Sequence, residues 1–254
     1  MQGTGVNDSQ DIGVVLLAGG RGTRLHPYTA VFPKPLVPLG DTPVLELLLR
    51  RLRRHGLRNI TICTGHLAEL IRSFFGDGDR FGVRIRYAKE DQPLGTAGPL
   101  ALVRDLTETF VVMNGDLLTT LDFSALIDYH KRQNAEATIG AYSRTVRIDF
   151  GVLEADERGL FRDYREKPQF QFEVSMGVYV LNRSILRFIE PGRPMDMPDL
   201  ILQSHANGGR VACYRSDCYW LDIGRADDYA EAQRQFETDP TLFLADLPGV
   251  SRPR

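Results

Sequence analysis

The chain has 254 residues, of which 43% are hydrophobic and 25% are charged, and its formal net charge is −2. A chain of this length and hydrophobic content can bury a substantial core. A net charge so close to zero gives no general attraction to nucleic acid or to a membrane surface, so we expect neither as a partner.

Cysteine usage and the amino terminus indicate a reducing compartment. Cys63, Cys213 and Cys218 have spacings that match no zinc pattern, and we predict that they are reduced thiols. No apolar run approaches the roughly 20 residues of a membrane span. The first eleven residues lack the basic and then apolar order of a signal peptide. We therefore expect a cytoplasmic location.

The first part of the chain alternates between buried strands and amphipathic helices. Residues 12–18 (IGVVLLA) form an unbroken apolar run that is typical of a strand buried on both faces. Further strands are predicted at 59–65, 83–88, 109–116 and 137–142, and helices at 42–56, 66–75, 96–106 and 122–133. For the helices, Thr42 and Asp122 are the expected caps. This alternation predicts an α/β fold, a mostly parallel sheet covered by helices on both faces.

The pattern changes after residue 149. Residues 150–182 resemble antiparallel strands that would cover the carboxyl edge of the sheet as a lid. A helix is predicted near 196–206, a strand at 210–216 and a closing helix at 226–237. We expect the tail after Pro240 to be loosely held.

A glycine-rich segment, LAGGRGTRLHPYTAVFPKP at 17–35, follows the first strand. Ligands of open α/β sheets bind beyond the carboxyl ends of the strands, where this segment begins. Glycines 19, 20 and 22 leave backbone N–H groups accessible to a phosphate. Thr23 and Arg24 stand where a Walker loop needs a lysine and a hydroxyl residue, and Leu25 breaks the dinucleotide fingerprint. A tight turn with purely structural glycines remains the alternative.

Two cations accompany these glycines. Arg24 and Lys34 flank the segment, and prolines at 33 and 35 restrict the backbone around Lys34. Backbone donors and two tethered cations together provide what a polyphosphate needs. Taken alone, a lysine between prolines is usually just a solvated loop residue.

With these motifs the chain resembles the sugar-1-phosphate nucleotidylyltransferases, also called sugar nucleotide pyrophosphorylases, over about residues 12–236. The motifs occur in the order of that family: LAGGRGTRLHPYT, PKPLVPLGDTPVLE, EDQPLGTAGPL, NGD, FGVLE, EKP and WLDIG. The segment PLGTAGPLALVRD is most similar to guanylyltransferases that make GDP-mannose. The segments MNGDLLT and MPDLI are more similar to short bacterial members that make GDP-heptose and related sugars.

The resemblance implies a Rossmann-like three-layer sandwich of the GT-A type in a single domain, without a carboxy-terminal β-helix. The domain would comprise an extension (1–11), a mainly nucleotide-binding part (12–148), a mainly sugar-phosphate-binding part (149–236) and a tail (237–254). The implied reaction joins a nucleoside triphosphate, with GTP favoured, to a sugar 1-phosphate and releases pyrophosphate. A homo-oligomer is left open.

This chemistry brings a dianion against a polyanion, and like charges about 4 Å apart repel by roughly 4 kcal/mol at a dielectric constant near 20. Arg24 and Lys34 would neutralise the leaving phosphates, and Asp116 and Asp222 would hold Mg²⁺. Lys167 is implied by the resemblance as a contact of the acceptor phosphate. The expected catalytic residues are thus Arg24, Lys34, Asp116, Lys167 and Asp222. Taken alone, Asp116 could form a strand-end turn and Asp222 could cap the closing helix.

Binding residues complete the predicted site. The nucleotide would contact Leu17, Ala18, Gly19, Gly20, Gly22, Thr23, Gln92, Gly95 and Thr96, with Gln92 as an acceptor for guanine. The sugar phosphate would contact Asn114, Gly151, Glu166, Lys167, Ser175, Met176 and Gly177. Without the resemblance, residues 165–167 could be an ordinary solvated strand end, and Pro93 with Gly95 a simple turn.

Residues 175–177 depart from the family pattern, because Ser-Met-Gly replaces the common Asn-Ala-Gly. An amide is lost and a larger side chain is introduced, which favours a heptose, octose or otherwise modified sugar over mannose. Three alternatives remain: a mannose-1-phosphate guanylyltransferase, a relative that uses UTP, dTTP or CTP, and a non-catalytic nucleotide-sugar-binding paralogue. A nicotinamide dehydrogenase is disfavoured by the failed fingerprint.

Overall fold

A seven-stranded sheet forms the centre of the computed structural model, which describes residues 12–20, 22, 25, 29 and 31–244. The strands of the described chain are β1 (Gly13–Ala18), β2 (Pro38–Leu39), β3 (Thr42–Pro43), β4 (Asn59–Thr64), β5 (Arg84–Lys89), β6 (Thr109–Asn114), β7 (Leu117–Thr119), β8 (Ala137–Arg147), β9 (Val152–Ala155), β10 (Phe161–Arg165), β11 (Gln169–Asn182), β12 (Val211–Arg215) and β13 (Trp220–Asp222).

The helices of the described chain are α1 (Val44–Arg54), α2 (Ala68–Phe75), α3 (Phe123–Gln133), α4 (Met197–Ala206), α5 (Ala226–Thr238) and α6 (Thr241–Leu244). Short 3₁₀ helices lie at Lys34–Leu36, Asp79–Phe81, Gly98–Leu102 and Arg183–Phe188. Asp122 caps α3 as predicted, because its carboxylate accepts a hydrogen bond from the Ala125 N–H at 2.9 Å. Within the described residues, no helix has the length and apolar character needed to cross a membrane.

The main sheet has the strand order β12-β8-β11-β6-β1-β4-β5. β11 pairs antiparallel with β6 and β8, whereas every other pair in this sheet is parallel. Val14 and Leu16 of β1 face the buried cluster that includes α1 and α3, and Val15 faces the cluster that includes α4. Burial on both faces explains the unbroken apolar run in the sequence. The predicted α/β class with a mostly parallel sheet is confirmed.

A two-stranded ribbon extends from the carboxyl edge of this sheet. It consists of the second half of β8 and the first half of β11, which pair from Ala141↔Ser175 out to Arg147↔Gln169. β9 and β10, which lie between β8 and β11 in the chain, form a separate antiparallel hairpin. Large apolar side chains of this region are exposed, including Phe150 at 78% and Phe161 at 68%. Antiparallel strands therefore occupy residues 152–182, as the sequence predicts for the lid.

Three predicted elements differ from the structure. The helix expected at 96–106 is only the 3₁₀ helix Gly98–Leu102, in which the Leu100 N–H bonds to the Ala97 carbonyl and the Val103 N–H to the Leu100 carbonyl, and the N–H groups of Ala97 and Gly98 bond to the Met195 carbonyl. Pro43 is extended and pairs with Pro38, so α1 begins at Val44 and Thr42 does not cap it. After Pro240, residues 241–244 form α6, whose Phe243 stacks on Phe236 with ring centroids 6.3 Å apart; these four residues are thus packed rather than loosely held.

Candidate active site

A cleft of about 400 Å³ lies at the carboxyl ends of β1 and β6. We call it the glycine cleft, since Gly19, Gly20 and Gly22 form part of its wall. Parallel strands end together at this edge, which brings segments distant in sequence into one site. The predicted site residues that line it are Leu17, Ala18, Gly19, Gly20, Gly22, Lys34, Gly95, Thr96, Asn114 and Asp116.

Lys34 lies at the floor of the glycine cleft, between the two predicted metal ligands. Its ammonium group forms an ion pair with Oδ2 of Asp116 and lies 3.6 Å from Oδ1 of Asp222. Pro33 is extended and Pro35 is buried, so the short helix at 34–36 presents Lys34 in a fixed direction. The Lys34 side chain is only 12% exposed. Its cation is therefore preorganised, as the flanking prolines suggested.

Two short strands bring the aspartates together. Asp116 lies between β6 and β7, and β7 pairs antiparallel with β13, so that Asp222 lies opposite Leu117. The N–H of Ile223 donates to the Asp116 carbonyl at 3.2 Å. Asp222 does not cap α5, whose N-cap residue is Arg225. The helix-cap alternative for Asp222 is therefore excluded.

The electrostatics of this cluster suit a cation. Burial raises the pKa of Asp116, the nearby Lys34 ammonium opposes that rise, and the Asp222 carboxylate adds to it. Oδ1 of Asp116 and Oδ1 of Asp222 are both buried without a hydrogen-bond partner among the described residues. Two orphaned carboxylate oxygens on either side of one lysine are costly unless a ligand satisfies them.

A divalent metal fits these oxygens. Among the described residues, no three His, Cys, Asp or Glu side chains cluster in a way that suits a metal. An ion held by Asp116 and Asp222 would thus take its remaining oxygens from water or from phosphate groups. Mg²⁺ commonly binds with few carboxylates and several waters or phosphate oxygens.

Glu90 is a cleft residue that the sequence analysis missed. It follows β5 and lines the glycine cleft, and Oε2 accepts the Leu94 N–H at 3.1 Å. A Cβ at Gly19 would lie 2.2 Å from Oε1 of Glu90, so only glycine leaves room for this carboxylate. Burial raises the pKa of Glu90, and the Leu94 N–H opposes that rise. Its position at the end of a predicted strand could have identified it.

Asn114 and Gly177 are in contact at the side of the cleft. Gly177 has a φ of +68°, and a Cβ there would lie 2.6 Å from Nδ2 of Asn114. Next to Gly177, the Met176 side chain is fully buried in the core, while its carbonyl accepts the Trp220 indole N–H at 2.9 Å. The Met176 side chain therefore does not enlarge or narrow a cleft, contrary to the expectation that its bulk reshapes the sugar pocket. Ser175 is exposed and lies 3.0 Å from the Tyr179 hydroxyl.

A second cleft, of about 450 Å³, meets the first one at Gly224, and Asp222 lines this second cleft. We call it the Trp220 cleft. Its polar lining includes Arg144, Arg225 and Asp228, none of which the sequence analysis singled out. Arg144 lies on the ribbon and Arg225 at the start of α5, so no local sequence pattern connects them.

Of the predicted nucleotide contacts in the 90–96 loop, Gln92 lies outside the glycine cleft, whereas Thr96 lines it and is tied to α4. Gln92 is exposed and donates to the Gly192 carbonyl at 3.2 Å, outside the lining of both clefts. The hydroxyl of Thr96 donates to Asp196 and accepts the Met197 N–H, which ties the 90–96 loop to α4. Arg24 and Thr23 lie outside the described residues.

The lid residues lie on the ribbon and its hairpin. Gly151 packs against Tyr164, whose hydroxyl donates to Glu166 at 2.8 Å. Lys167 is exposed, two residues before Gln169 at the outer end of the ribbon. About 20 Å of strand separates Gln169 from Ser175, at 3.3 Å per residue. The structure thus brings Lys34, Asp116 and Asp222 together and leaves Glu166 and Lys167 on the lid.

Comparison with known proteins agrees with this geometry. The family model described as nucleotidyl transferase matches residues 13–239. UTP–glucose-1-phosphate uridylyltransferase of Synechocystis sp. is 35% identical over 242 residues, which span 87% of this chain and 62% of that protein. A probable mannose-1-phosphate guanylyltransferase 2 of Oryza sativa is 32% identical over 231 residues, which span 87% of this chain and 64% of that protein. This chain therefore spans less than two thirds of the length of these two curated relatives.

Among solved structures, HddC from Yersinia pseudotuberculosis is similar with a TM-score of 0.69 and 25% identity. The match covers 89% of this chain and 99% of HddC.

Proposed function

The chain belongs to the nucleotidyl transferase family, as its motifs predicted, and from this premise we propose that it transfers a nucleotidyl group from a nucleoside triphosphate to a sugar 1-phosphate. In this reaction an oxygen of the sugar phosphate attacks the α-phosphorus. A bond forms between them, and the bond from the α-phosphorus to the bridging oxygen breaks. Pyrophosphate leaves with that electron pair. No nucleophilic side chain is required, because the acceptor phosphate is itself the nucleophile.

The observation that carries this proposal is the cluster of Lys34, Asp116 and Asp222 at the end of the glycine cleft. The cleft offers backbone groups of residues 19, 20 and 22 to phosphate oxygens. Lys34 would contact the leaving phosphates and hold both carboxylates in place. Arg24 remains a sequence-based candidate for a second cation. Catalysis then depends mainly on alignment and on cancellation of charge.

Asp116 and Asp222 would hold Mg²⁺ through their Oδ1 atoms, which make no hydrogen bond within the described residues; that of Asp222 lies 3.6 Å from the Lys34 ammonium group. Bound there, the ion would supply positive charge between the phosphates of donor and acceptor. Two carboxylates beside the phosphate site, with side chains 17% and 39% exposed, also argue against a non-catalytic binding paralogue, since a nucleotide-binding module has no need of two negative charges there.

We propose GTP as the donor, with Glu90 reading the base. Guanine presents two neighbouring donors, the N1–H and the exocyclic amine, and one carboxylate can accept both. Uracil and thymine offer a single N–H between two carbonyls, which a carboxylate would repel. Glu90 takes the role that the sequence analysis gave to Gln92, whose amide is engaged with Gly192. UTP, dTTP and CTP are the alternatives.

The proposed acceptor is a heptose, octose or otherwise modified sugar 1-phosphate. In support, Ser175 stands where an asparagine is common in the family, and the Trp220 cleft next to Asp222 adds space lined by Arg144, Arg225 and Asp228. Mannose 1-phosphate is the alternative acceptor. The three free cysteines fit a reducing, cytoplasmic setting for this activity.

Release of pyrophosphate tests the proposal. Each of the five common nucleoside triphosphates is combined with mannose, glucose and heptose 1-phosphates in the presence of Mg²⁺. We expect GTP with the larger sugar to give the highest kcat/KM. Lys34→Gln should lower the rate at least about 10²-fold, whereas Lys89→Gln, an exposed lysine of β5, should not. No pyrophosphate from any pair would overturn the proposed function.

A further inference from the structure

A third cleft, of about 470 Å³, lies at the opposite edge of the main sheet. We call it the amino-edge cleft because the first residues of β1, β4 and β5, namely Gly13, Asn59 and Arg84, line it. Each of these strands runs from the amino-edge cleft toward the glycine cleft. β1 alone covers about 17 Å from Gly13 to Ala18, at 3.3 Å per residue. A molecule in the amino-edge cleft would therefore not touch a nucleotide in the glycine cleft.

The ionisable side chains that line the amino-edge cleft are Arg84, Arg86, Arg104 and Asp105, which give it a formal charge of +2. The whole chain has a net charge of −2, so the charge of the cleft is opposite in sign to that of the protein as a whole. Like charges that face a shared space repel one another. An anion in the cleft would remove that repulsion.

The arginines are oriented without being neutralised. Nε and Nη2 of Arg84 donate to the neutral Asn59 amide oxygen at 2.9 and 2.7 Å. Within the described residues the Arg104 side chain has no hydrogen bond or ion pair. Only Arg86 pairs with a carboxylate, that of Asp105 at 3.1 Å, and both of these side chains are more than 70% exposed. Such an exposed ion pair is weak and easily exchanged for another anion.

From this arrangement we propose that the amino-edge cleft binds a phosphate-bearing metabolite. A phosphate dianion matches the formal charge of the cleft, and its oxygens accept the paired N–H groups of a guanidinium. A diphosphate can in addition bridge two arginines. The cleft is about as large as the glycine cleft, so it has room for more than an inorganic ion. The inference is independent of the proposed catalytic reaction.

Site-resolved NMR with pyrophosphate as the probe tests this. Uniformly ¹⁵N-labelled protein is titrated without Mg²⁺, and sodium chloride at matched ionic strength serves as the blank. We expect the amide signals of Gly13, Thr61 and Thr107 to shift with pyrophosphate and not with chloride. Pyrophosphate is also a product of the proposed reaction, so signals of Gly19 and Gly95 report the glycine cleft separately.

Two triple variants that remove the same charge identify the arginines that bind pyrophosphate. Arg84→Gln combined with Arg86→Gln and Arg104→Gln should raise the dissociation constant for pyrophosphate, as reported by the signals of Gly13 and Thr107, at least tenfold. Arg72→Gln combined with Arg132→Gln and Arg234→Gln removes the same charge from exposed positions outside the lid, and should change this dissociation constant less than twofold. Both variants should release pyrophosphate within twofold of the unmodified protein, because none of these residues belongs to the catalytic cluster.

The proposal is overturned if only the glycine-cleft signals move, if chloride reproduces the shifts, or if both triple variants weaken binding equally. Should the first triple variant not fold, Arg104→Gln alone replaces it. Among the residues that the structure describes, the Arg104 side chain has no partner to lose, and we expect at least threefold weaker binding from its removal. Unchanged affinity in that variant also overturns the proposal.

Discussion

Asp116 and Asp222 share one cation, because the Lys34 ammonium group pairs with Asp116 and lies 3.6 Å from Oδ1 of Asp222. The two carboxylates come from different parts of the chain and meet through the pairing of β7 with β13. Among the described residues, Oδ1 of each carboxylate is buried and makes no hydrogen bond. Lys34 offsets only one of the two negative charges, so the cluster retains an affinity for a further cation.

Asp116→Asn and Asp222→Asn should each lower the rate of pyrophosphate release about 10²- to 10³-fold, the scale of losing one preorganised electrostatic contact. Nucleotide binding without metal should weaken by at most about threefold, since the carboxylates do not attract phosphate. Addition of Mg²⁺ should raise the melting temperature of the unmodified protein and have a smaller effect on either variant. Asp217→Asn, an exposed aspartate before β13, is the control. Wild-type rates in both variants would remove the metal assignment.

Glu90→Gln should reduce the preference for GTP. The glutamine oxygen can still accept the Leu94 N–H, but its amide then points donors at the donors of guanine. A site left with unpaired polar groups discriminates by about 10²-fold or more. The ratio of kcat/KM for GTP to that for UTP should fall accordingly, while Asp91→Asn, the exposed neighbour, leaves it unchanged. An unaltered ratio in Glu90→Gln would show that another group reads the base.

The raised pKa of Glu90 predicts that the KM for GTP depends on pH. Burial raises the pKa of Glu90, so its carboxylate gains a proton at a higher pH than an ordinary glutamate does. The KM for GTP should therefore rise as the pH falls through this raised pKa, because the protonated carboxyl no longer accepts from both donors. The pH profile of KM for GTP should flatten in Glu90→Gln. An equally steep profile in that variant would assign the effect elsewhere.

Gly177→Ala should impair both folding and activity. The positive φ and the 2.6 Å approach to Asn114 predict a loss of about 1–2 kcal/mol in the free energy of unfolding. Asn114 lines the glycine cleft and must move, so the rate should fall about tenfold. Gly208→Ala separates the two effects, since Gly208 has a φ of +83° and no atom within 4 Å of an added Cβ. Gly208→Ala should lower the free energy of unfolding without lowering the rate. Equal rates in Gly177→Ala and Gly208→Ala would contradict the role of Asn114.

Glu136 should control acid stability. Its carboxylate accepts hydrogen bonds from Arg187, Ser184 and Ser204, and it joins the start of β8 to α4. Hydrogen bonding to Arg187 is the largest of the effects that lower its pKa, to about 2. Because the folded pKa lies below the unfolded value, this stabilisation is complete above about pH 5 and disappears as the pH falls toward 2.

Glu136→Gln should therefore lower the free energy of unfolding by about 2 kcal/mol at pH 7. The difference from the unmodified protein should shrink at pH 3. Urea unfolding at both pH values provides the measurement, with the exposed Glu157→Gln as the control. A difference that is equal at pH 7 and pH 3 would mean that the contribution is not linked to ionisation of Glu136.

Local patterns were sufficient for much of the fold and for part of the site. Strands buried on both faces leave unbroken apolar runs, so β1, β4 and β6 were predicted from the sequence, and with them the edge at which residues 17–22 and Asp116 meet. The segment expected as a helix at 96–106 is instead a short 3₁₀ helix, and the N–H groups of Ala97 and Gly98 at its start bond to the Met195 carbonyl, about a hundred residues away. A single sequence contains no sign of such a partner.

The residue proposed to read the base shows the same limit of local patterns. Gln92 and Glu90 are two residues apart, and composition alone does not say which of them faces the cleft. That choice follows from the hydrogen bond between Leu94 and Glu90 and from the attachment of Thr96 to Asp196. The position of Lys167 likewise depends on how far β8 and β11 stay paired beyond the sheet.

The sequence by itself determined the family, the alternation of strands and helices, and the residue types that a phosphate and a metal require, because burial and turn chemistry act over a few neighbouring residues. Only the tertiary structure decided that Lys34 lies between Asp116 and Asp222, that Glu90 occupies the space above Gly19, and that three arginines face a cleft at the opposite edge. These relationships join segments that are up to about two hundred residues apart along the chain. They arise from strand order and side-chain packing, which no local pattern encodes.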